Sequence, residues 1–206
     1  NFQFGIGLSQ LMFTPEDPNA LTPPVGERPY AGWLGIELSL QAASSRSANT
    51  ASLSIGTTGK NSYAEDMQDW VHRNVSNSPV FQGWASEAPA EPTLNLHFDR
   101  KTKLSFLDRV PLPLDLDGFY EWGASLGNLR TDIYFGSMLR WGLNLPASHT
   151  TPRVQLGSLT DTIFRKEADQ KSTFSLYGYT GARGYGVLHD FSFDGPLLRN
   201  WLYAVD

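Results

Sequence analysis

Several stretches of this chain change chemistry at every second residue, and that period limits the fold more than any other feature. Phe2, Phe4, Ile6 and Leu8 alternate with Gln3, Gly5, Gly7 and Ser9. Leu34, Ile36, Leu38 and Leu40 alternate with Gly35, Glu37, Ser39 and Gln41. Tyr120, Trp122, Ala124 and Leu126 alternate with Glu121, Gly123 and Ser125. From Ile133 onward, Phe135, Leu139, Trp141, Leu143 and Leu145 oppose Tyr134, Gly136, Arg140, Gly142 and Asn144, with Ser137 and Met138 breaking the pattern. A period of two belongs to strands. The longer segments run about ten residues, beyond the usual five or six of a soluble strand and suited to a tilted membrane strand.

The polar face is rich in Gly, Ser, Asn and Arg, as a wet barrel interior requires. Trp33, Trp122, Trp141, Tyr120, Tyr177 and Tyr179 lie in or near strands, where interfacial girdles place aromatics. A soluble sandwich or lipocalin-type barrel alternates in the same way. Segment length and apolar outer faces favour an all-β, antiparallel, up-and-down outer-membrane β-barrel. Counting segments gives about eight strands. A mean hydropathy of −0.30 is compatible with this, because a barrel strand shows only every second side chain to lipid. No apolar run approaches the roughly 20 residues of a spanning helix.

The 206 residues contain no linker, repeat or low-complexity tract, so residues 1–206 read as one domain. Asn1 opens directly into a strand with no signal peptide, which leads us to expect a processed chain or one incomplete at both ends. Short turns are expected at Asp99-Arg100-Lys101 and at Gly127-Asn128-Leu129-Arg130-Thr131. A Pro-rich loop is expected from Thr14 to Pro29 and the longest excursion from Thr57 to Pro92. The expected layout has short turns at one end and long loops at the other. The net charge of −5, with both signs dispersed, leaves no basic stripe for phosphate backbones and excludes a nucleic-acid partner. With no cysteine, neither a disulfide frame nor a thiolate metal site is possible.

The strand pattern is interrupted by Ala64-Glu65-Asp66-Met67-Gln68-Asp69-Trp70-Val71-His72, which reads as a helix. On it, Gln68 and His72 share a face, with Glu65 a further turn back. An imidazole held by a polar neighbour can act as a general base on water; a histidine near a helix end can also simply interact with the macrodipole. Both readings are open from the residues alone. His97 lies on the polar face of the strand Thr93 to Asp99, His149 in a Ser/Thr-rich loop, and His189 beside Asp190. No G-x-S-x-G elbow occurs, and no serine follows His72 by two residues, which disfavours a serine triad. Glu65, Asp66, Asp69, Glu87 and Glu91 are oxygen donors of the kind Ca²⁺ takes, without an EF-hand loop. Arg28, Arg73 and Lys60 lie in loops and are candidates for lipid phosphates on charge alone.

These residues resemble the outer-membrane lipid A 3′-O-deacylases. Phe13-Thr14-Pro15-Glu16-Asp17 is similar to that family's Tyr-Thr-Pro loop, and Arg28-Pro29-Tyr30-Ala31-Gly32-Trp33 to its Arg-Pro-Tyr-Ala-Gly-Trp block. Ile55-Gly56 with Gln68 and His72 resembles its Gly-rich turn and Gln-x-x-x-His helix. Gly83-Trp84 with Glu91-Pro92 resembles its Gly-Trp then Asn-Glu-Pro pattern. Gly127-Asn128 and Arg140-Trp141-Gly142-Leu143-Asn144 add support downstream. The resemblance covers most of the chain.

The resemblance implies a barrel of about twelve strands in the bacterial outer membrane, with an active site between the barrel wall and a helix from an extracellular loop. It implies a Ca²⁺-dependent esterase that removes the 3′-linked acyl chain of lipid A in lipopolysaccharide, working as a monomer among outer-membrane lipid. His72 becomes the general base, with Gln68 and Glu65 supporting the helix. The sequence departs from the pattern in three ways. The family's Asn-Asp pair on its first strand and a Thr near the second would precede Asn1, and Ca²⁺ ligands would come largely from residues outside this sequence. A family acid falls on Ser78. The Gln expected after Gly-Trp is Glu87. A non-catalytic barrel, structural or pore-like, is the alternative these departures leave open.

Overall fold

A computed structural model describes residues 2–109, 113–146 and 174–204. Seven antiparallel strands form one sheet in sequence order: β1 Phe2–Phe13, β2 Ala31–Ala43, β3 Ser47–Thr58, β4 Pro92–Lys103, β5 Asp115–Gly127, β6 Arg130–Leu143 and β7 Leu176–Asp190. The expected up-and-down meander is therefore present, with seven strands rather than about eight among the described residues. Among the described residues β1 and β7 are edges with one strand neighbour each, so the sheet is open there.

Register assigns each side chain to a face. On β2, Trp33, Gly35, Glu37, Ser39 and Gln41 are buried, whereas Ile36 and Leu40 are exposed. On β1 the exposed Phe2, Phe4, Ile6 and Leu8 share the outer face. Outward positions are largely apolar and inward ones largely polar, as a barrel with lipid outside and water inside demands. Ser137 and Met138 do not break β6: Ser137 points outward and Met138 inward, where it is 8% exposed. The exception lies in residue type, and the register runs through it. Tyr120, Trp122 and Trp141 face outward as a girdle would, but Tyr179 pairs with the lumenal Arg140 and so faces inward, and Trp33 is fully buried on the inner face, where its Nε1 donates to Thr93 Oγ1 at 2.7 Å.

Two expectations about connections are corrected. Asp99-Arg100-Lys101 lies inside β4, where Asp99 and Lys101 point into the lumen and Arg100 outward. The tight connection at Asn128-Leu129 lies at the same end as the helical excursion, because β3 and β5 both finish there. The connection from β6 to β7 leaves the opposite end, so long loops are not confined to one side; its residues 147–173, including His149, lie outside the described residues.

Charge pairs fill the lumen. Arg140, fully buried, donates through Nε and one terminal nitrogen to the two Asp117 oxygens at 2.8 and 2.5 Å and lies over the Phe119 ring. Removing one partner of such a pair leaves the other charge desolvated. Arg140→Ala is expected to cost about 3 kcal/mol of barrel stability. A urea titration of folding in detergent micelles reads this directly, and Arg140→Lys should recover part of it. His97 also lines the lumen, within 3.0 Å of Ser125 Oγ and stacked on Tyr134, whose hydroxyl donates to Asp99.

Candidate active site on the outer wall

The excursion between β3 and β4 leaves and returns through one clasp. Thr58 Oγ1 donates to Pro89 O at 2.8 Å and accepts from Glu91 N at 2.9 Å. Gly59 turns the chain at φ +63, where a Cβ would lie 2.5 Å from both Ala88 O and Ala90 N, so only glycine fits. A short 3-10 turn, Gly59–Ser62, then leads into helix α1, Ala64–Val71.

Register fixes which side of the wall α1 covers. Gly32 of β2 pairs with Met12 of β1, and both stand on the outer face with Ile36, Leu8 and Ile6. A Cβ on Gly32 would fall 2.2 Å from Ser62 Oγ and 2.5 Å from Ala64 Cβ, so the start of the helix rests directly on this glycine. Met12 packs against the buried cluster of Tyr30, Ala64 and Trp84. Gln10, a polar residue on the otherwise apolar outer stripe of β1, donates to Ser62 O at 2.6 Å. The helix thus lies against the lipid-facing wall, outside the lumen.

A chain of rings holds its functional face. Trp84 Nε1 donates to Gln68 Oε1 at 2.9 Å. Tyr30 packs on Trp84 at 5.5 Å and on Phe81 at 6.4 Å, and Phe81 meets the His72 ring edge-on at 5.7 Å. After Val71 the helix widens into a π turn, His72–Ser76, closed by Asn77 in the left-handed region at φ 48. Single π turns of this kind recur at functional sites. The turn brings Pro79 O to 2.6 Å from His72 Nδ1. A carbonyl can only accept, so Nδ1 carries the hydrogen, and a neutral ring then keeps its lone pair on Nε2. Nε2 has no hydrogen-bond partner among the described residues, and neither does the Gln68 amide nitrogen.

Glu87 follows Trp84 on the return path, and both of its carboxylate oxygens are buried without a hydrogen-bond partner. Burial, followed by the field of Glu65 and then opposed by Lys60, pushes its pKa up to about 7. The unfolded chain ionises this group near 4.5. Stability is therefore fully present below that value, falls as pH rises toward 7, and stays lower above it. Glu87→Gln is expected to remove this dependence and to steady the excursion at pH 8 by about 2 kcal/mol. Hydrogen exchange of residues 64–87, corrected for intrinsic rate and compared at pH 5.5 and 8, checks it.

The other expected site residues scatter. Asp69, on the His72 flank of the helix, pairs through one oxygen with the exposed Arg73 at 3.1 Å, while its other oxygen is buried without a hydrogen-bond partner. Glu91 is buried and structural, accepting from Asn128 Nδ2 at 2.8 Å and from the Leu198 amide at 2.9 Å. Arg28 lies on the lumenal side of the wall, between the Phe13 and Phe193 rings, away from α1. His189 is buried, its Nε2 3.0 Å from Asn128 O, which is a packing role. No three His, Cys, Asp or Glu side chains converge to hold a metal ion among the described residues. Gln10, Gly32, Phe81 and the Pro79 carbonyl were not expected. The available signals were a glutamine following the stripe Phe2-Phe4-Ile6-Leu8 and, for Gly32, its place in the Arg28–Trp33 block.

Residues 1–204 match the family described as outer membrane protein LpxR. The chain belongs to that family. LpxR proteins reside in the bacterial outer membrane, so the outer wall of this sheet faces lipid and α1 lies on that side. The fold overlaps that of LpxR from Salmonella typhimurium with a TM-score of 0.79 at 15% identity, over 100% of this chain and 67% of that one. None of the curated proteins matches. The LpxR block Arg28 to Trp33 now has a physical reading. Tyr30 supports the ring chain, Gly32 makes room for the helix, and Trp33 fills the lumen.

Proposed function

We propose that this protein is a lipid A deacylase that hydrolyses the 3′-linked acyl ester of lipopolysaccharide in the outer leaflet. The observation that carries the reading is His72, held in a single tautomer by the Pro79 carbonyl on a helix against the lipid-facing wall. Lipid A reaches such a position laterally from the membrane, whereas a lumenal site would require it to leave the bilayer.

His72 Nε2 takes a proton from water as the water oxygen adds to the ester carbonyl carbon. When the tetrahedral adduct collapses, the bond from carbonyl carbon to sugar oxygen breaks. The imidazolium returns its proton to that oxygen, leaving a free fatty acid and a sugar hydroxyl. Gln68, locked at its oxygen by Trp84, retains two amide hydrogens for the developing oxyanion. Calcium is proposed as a requirement of the reaction, with no ligand set assigned on this chain. A monomer suffices for this scheme.

The second reading, a non-catalytic barrel, is favoured by the absence of a convergent ligand set among the described residues. Purified protein incubated with lipid A in detergent micelles separates the two. The enzyme releases a fatty acid, detected by gas chromatography, and stops when a chelator removes Ca²⁺. A scaffold releases none under either condition.

A further inference from the structure

Helix α1 has a second face. At 100° per residue, Glu65, Asp69 and His72 stand on one flank of the buried Ala64–Gln68 line, and Met67, Trp70 and Val71 on the other. The His72 end of that flank is covered by the returning chain, through Phe81 and Pro79, whereas Glu65 stays exposed. That returning segment is tied in turn to the β1–β2 loop, by Gln82 N donating to Pro18 O and by Gly83 lying against Ala20 O. Among the described residues the opposite flank has no such cover. Met67 is 45% exposed, Trp70 57% and Val75 68%, with Tyr63 at the helix start 62% exposed. A stripe of this size costs free energy in water.

We infer that Tyr63, Met67, Trp70 and Val75 form a membrane-docking surface that rests in the outer leaflet at the boundary between headgroups and acyl chains. Two observations commit the occupant to lipid. By register the helix lies on the outer wall, so the stripe continues the apolar face formed by Ile36, Ile55 and Leu94. The chain belongs to an outer-membrane family, so that face is already in contact with lipid. Composition agrees: Trp and Tyr collect at membrane interfaces, where one end of the ring is apolar and the other wet. The acids Glu65, Asp66 and Asp69 stand off the stripe, leaving its centre uncharged. Docked this way, the stripe would hold the helix at acyl-chain depth whatever reaction the protein performs.

The chain has no cysteine, so one engineered thiol can be labelled without background. Met67→Cys and Trp70→Cys, each carrying a bimane fluorophore, are placed in the intact protein and reconstituted into phosphatidylcholine–phosphatidylglycerol vesicles. Some vesicles contain lipid spin-labelled near the carbonyl end of its acyl chain. Leu96→Cys on the outer face of β4 reports that the sheet has inserted, and Glu65→Cys reports the opposite flank. In samples where Leu96→Cys is quenched by the spin label, both stripe positions should be quenched roughly threefold more strongly than Glu65→Cys. They should also resist aqueous iodide, which reaches Glu65→Cys. Stripe labels open to iodide and untouched by the spin label would overturn the inference. Labels shielded from both quenchers would overturn it too, and would point to a second protein copy instead. Neither readout depends on catalysis, so the inference and the proposed reaction can fail separately.

Discussion

Replacing His72 with alanine is expected to lower the rate of fatty-acid release by about 10²- to 10⁴-fold, the usual contribution of a positioned general base. The barrel should fold normally, because His72 contributes an edge contact to Phe81 and a hydrogen bond to Pro79 O within the excursion, and no part of the sheet. The loss should fall on kcat rather than KM, since the imidazole acts on water in the transition state and does not hold the ground-state ester. His72→Gln, which can restore the hydrogen bond to Pro79 O but supplies no basic nitrogen, should be equally inactive. Full activity in either variant would remove His72 from the chemistry.

The second large effect concerns the glycine beneath the helix. Gly32→Leu puts a side chain where Ser62 Oγ and Ala64 Cβ already stand, 2.2 and 2.5 Å from the first added atom. Ser62 is fully buried and its hydroxyl accepts from Ala64 N at 3.3 Å, so it has little room to turn away. An eight-residue helix does not hold its shape without tertiary support. We expect α1 to lift from the wall and activity to fall about 10²-fold, as misplacing a catalytic group by an ångström can do. Added atoms in a packed site cost about 1–3 kcal/mol, which the sheet tolerates. The barrel should therefore keep its resistance to unfolding in detergent while the excursion becomes sensitive to protease. Gly32→Ala should give the same pattern in a weaker form.

These two residues also show what the sequence could and could not reveal. Strand periodicity was legible because burial on one face and lipid on the other both act at period two, and β1, β2, β5 and β6 follow it closely. His72 and Gln68 stood out because a helix interrupted that pattern. The side of the wall on which the helix rests was hidden, because it depends on the pairing of Gly32 with Met12 across two strands. The tautomer of His72 was hidden for a similar reason, since its partner is a backbone carbonyl seven residues on, reached through a π turn. Backbone acceptors leave no mark on residue type. The carboxylates misled in the opposite direction: Glu91 and Glu87 have the composition of metal ligands, yet one is taken up by amide donors and the other is desolvated.

The central claim is that a histidine outside the barrel deacylates lipid A in its own leaflet. Mass spectrometry of lipid A from an outer membrane carrying the wild-type protein, beside membranes carrying His72→Ala and Gly32→Leu, tests it directly. The account predicts loss of one 3′-acyloxyacyl mass with the wild-type protein and intact lipid A with both variants. Unchanged lipid A in all three membranes, with the barrels folded, would contradict it.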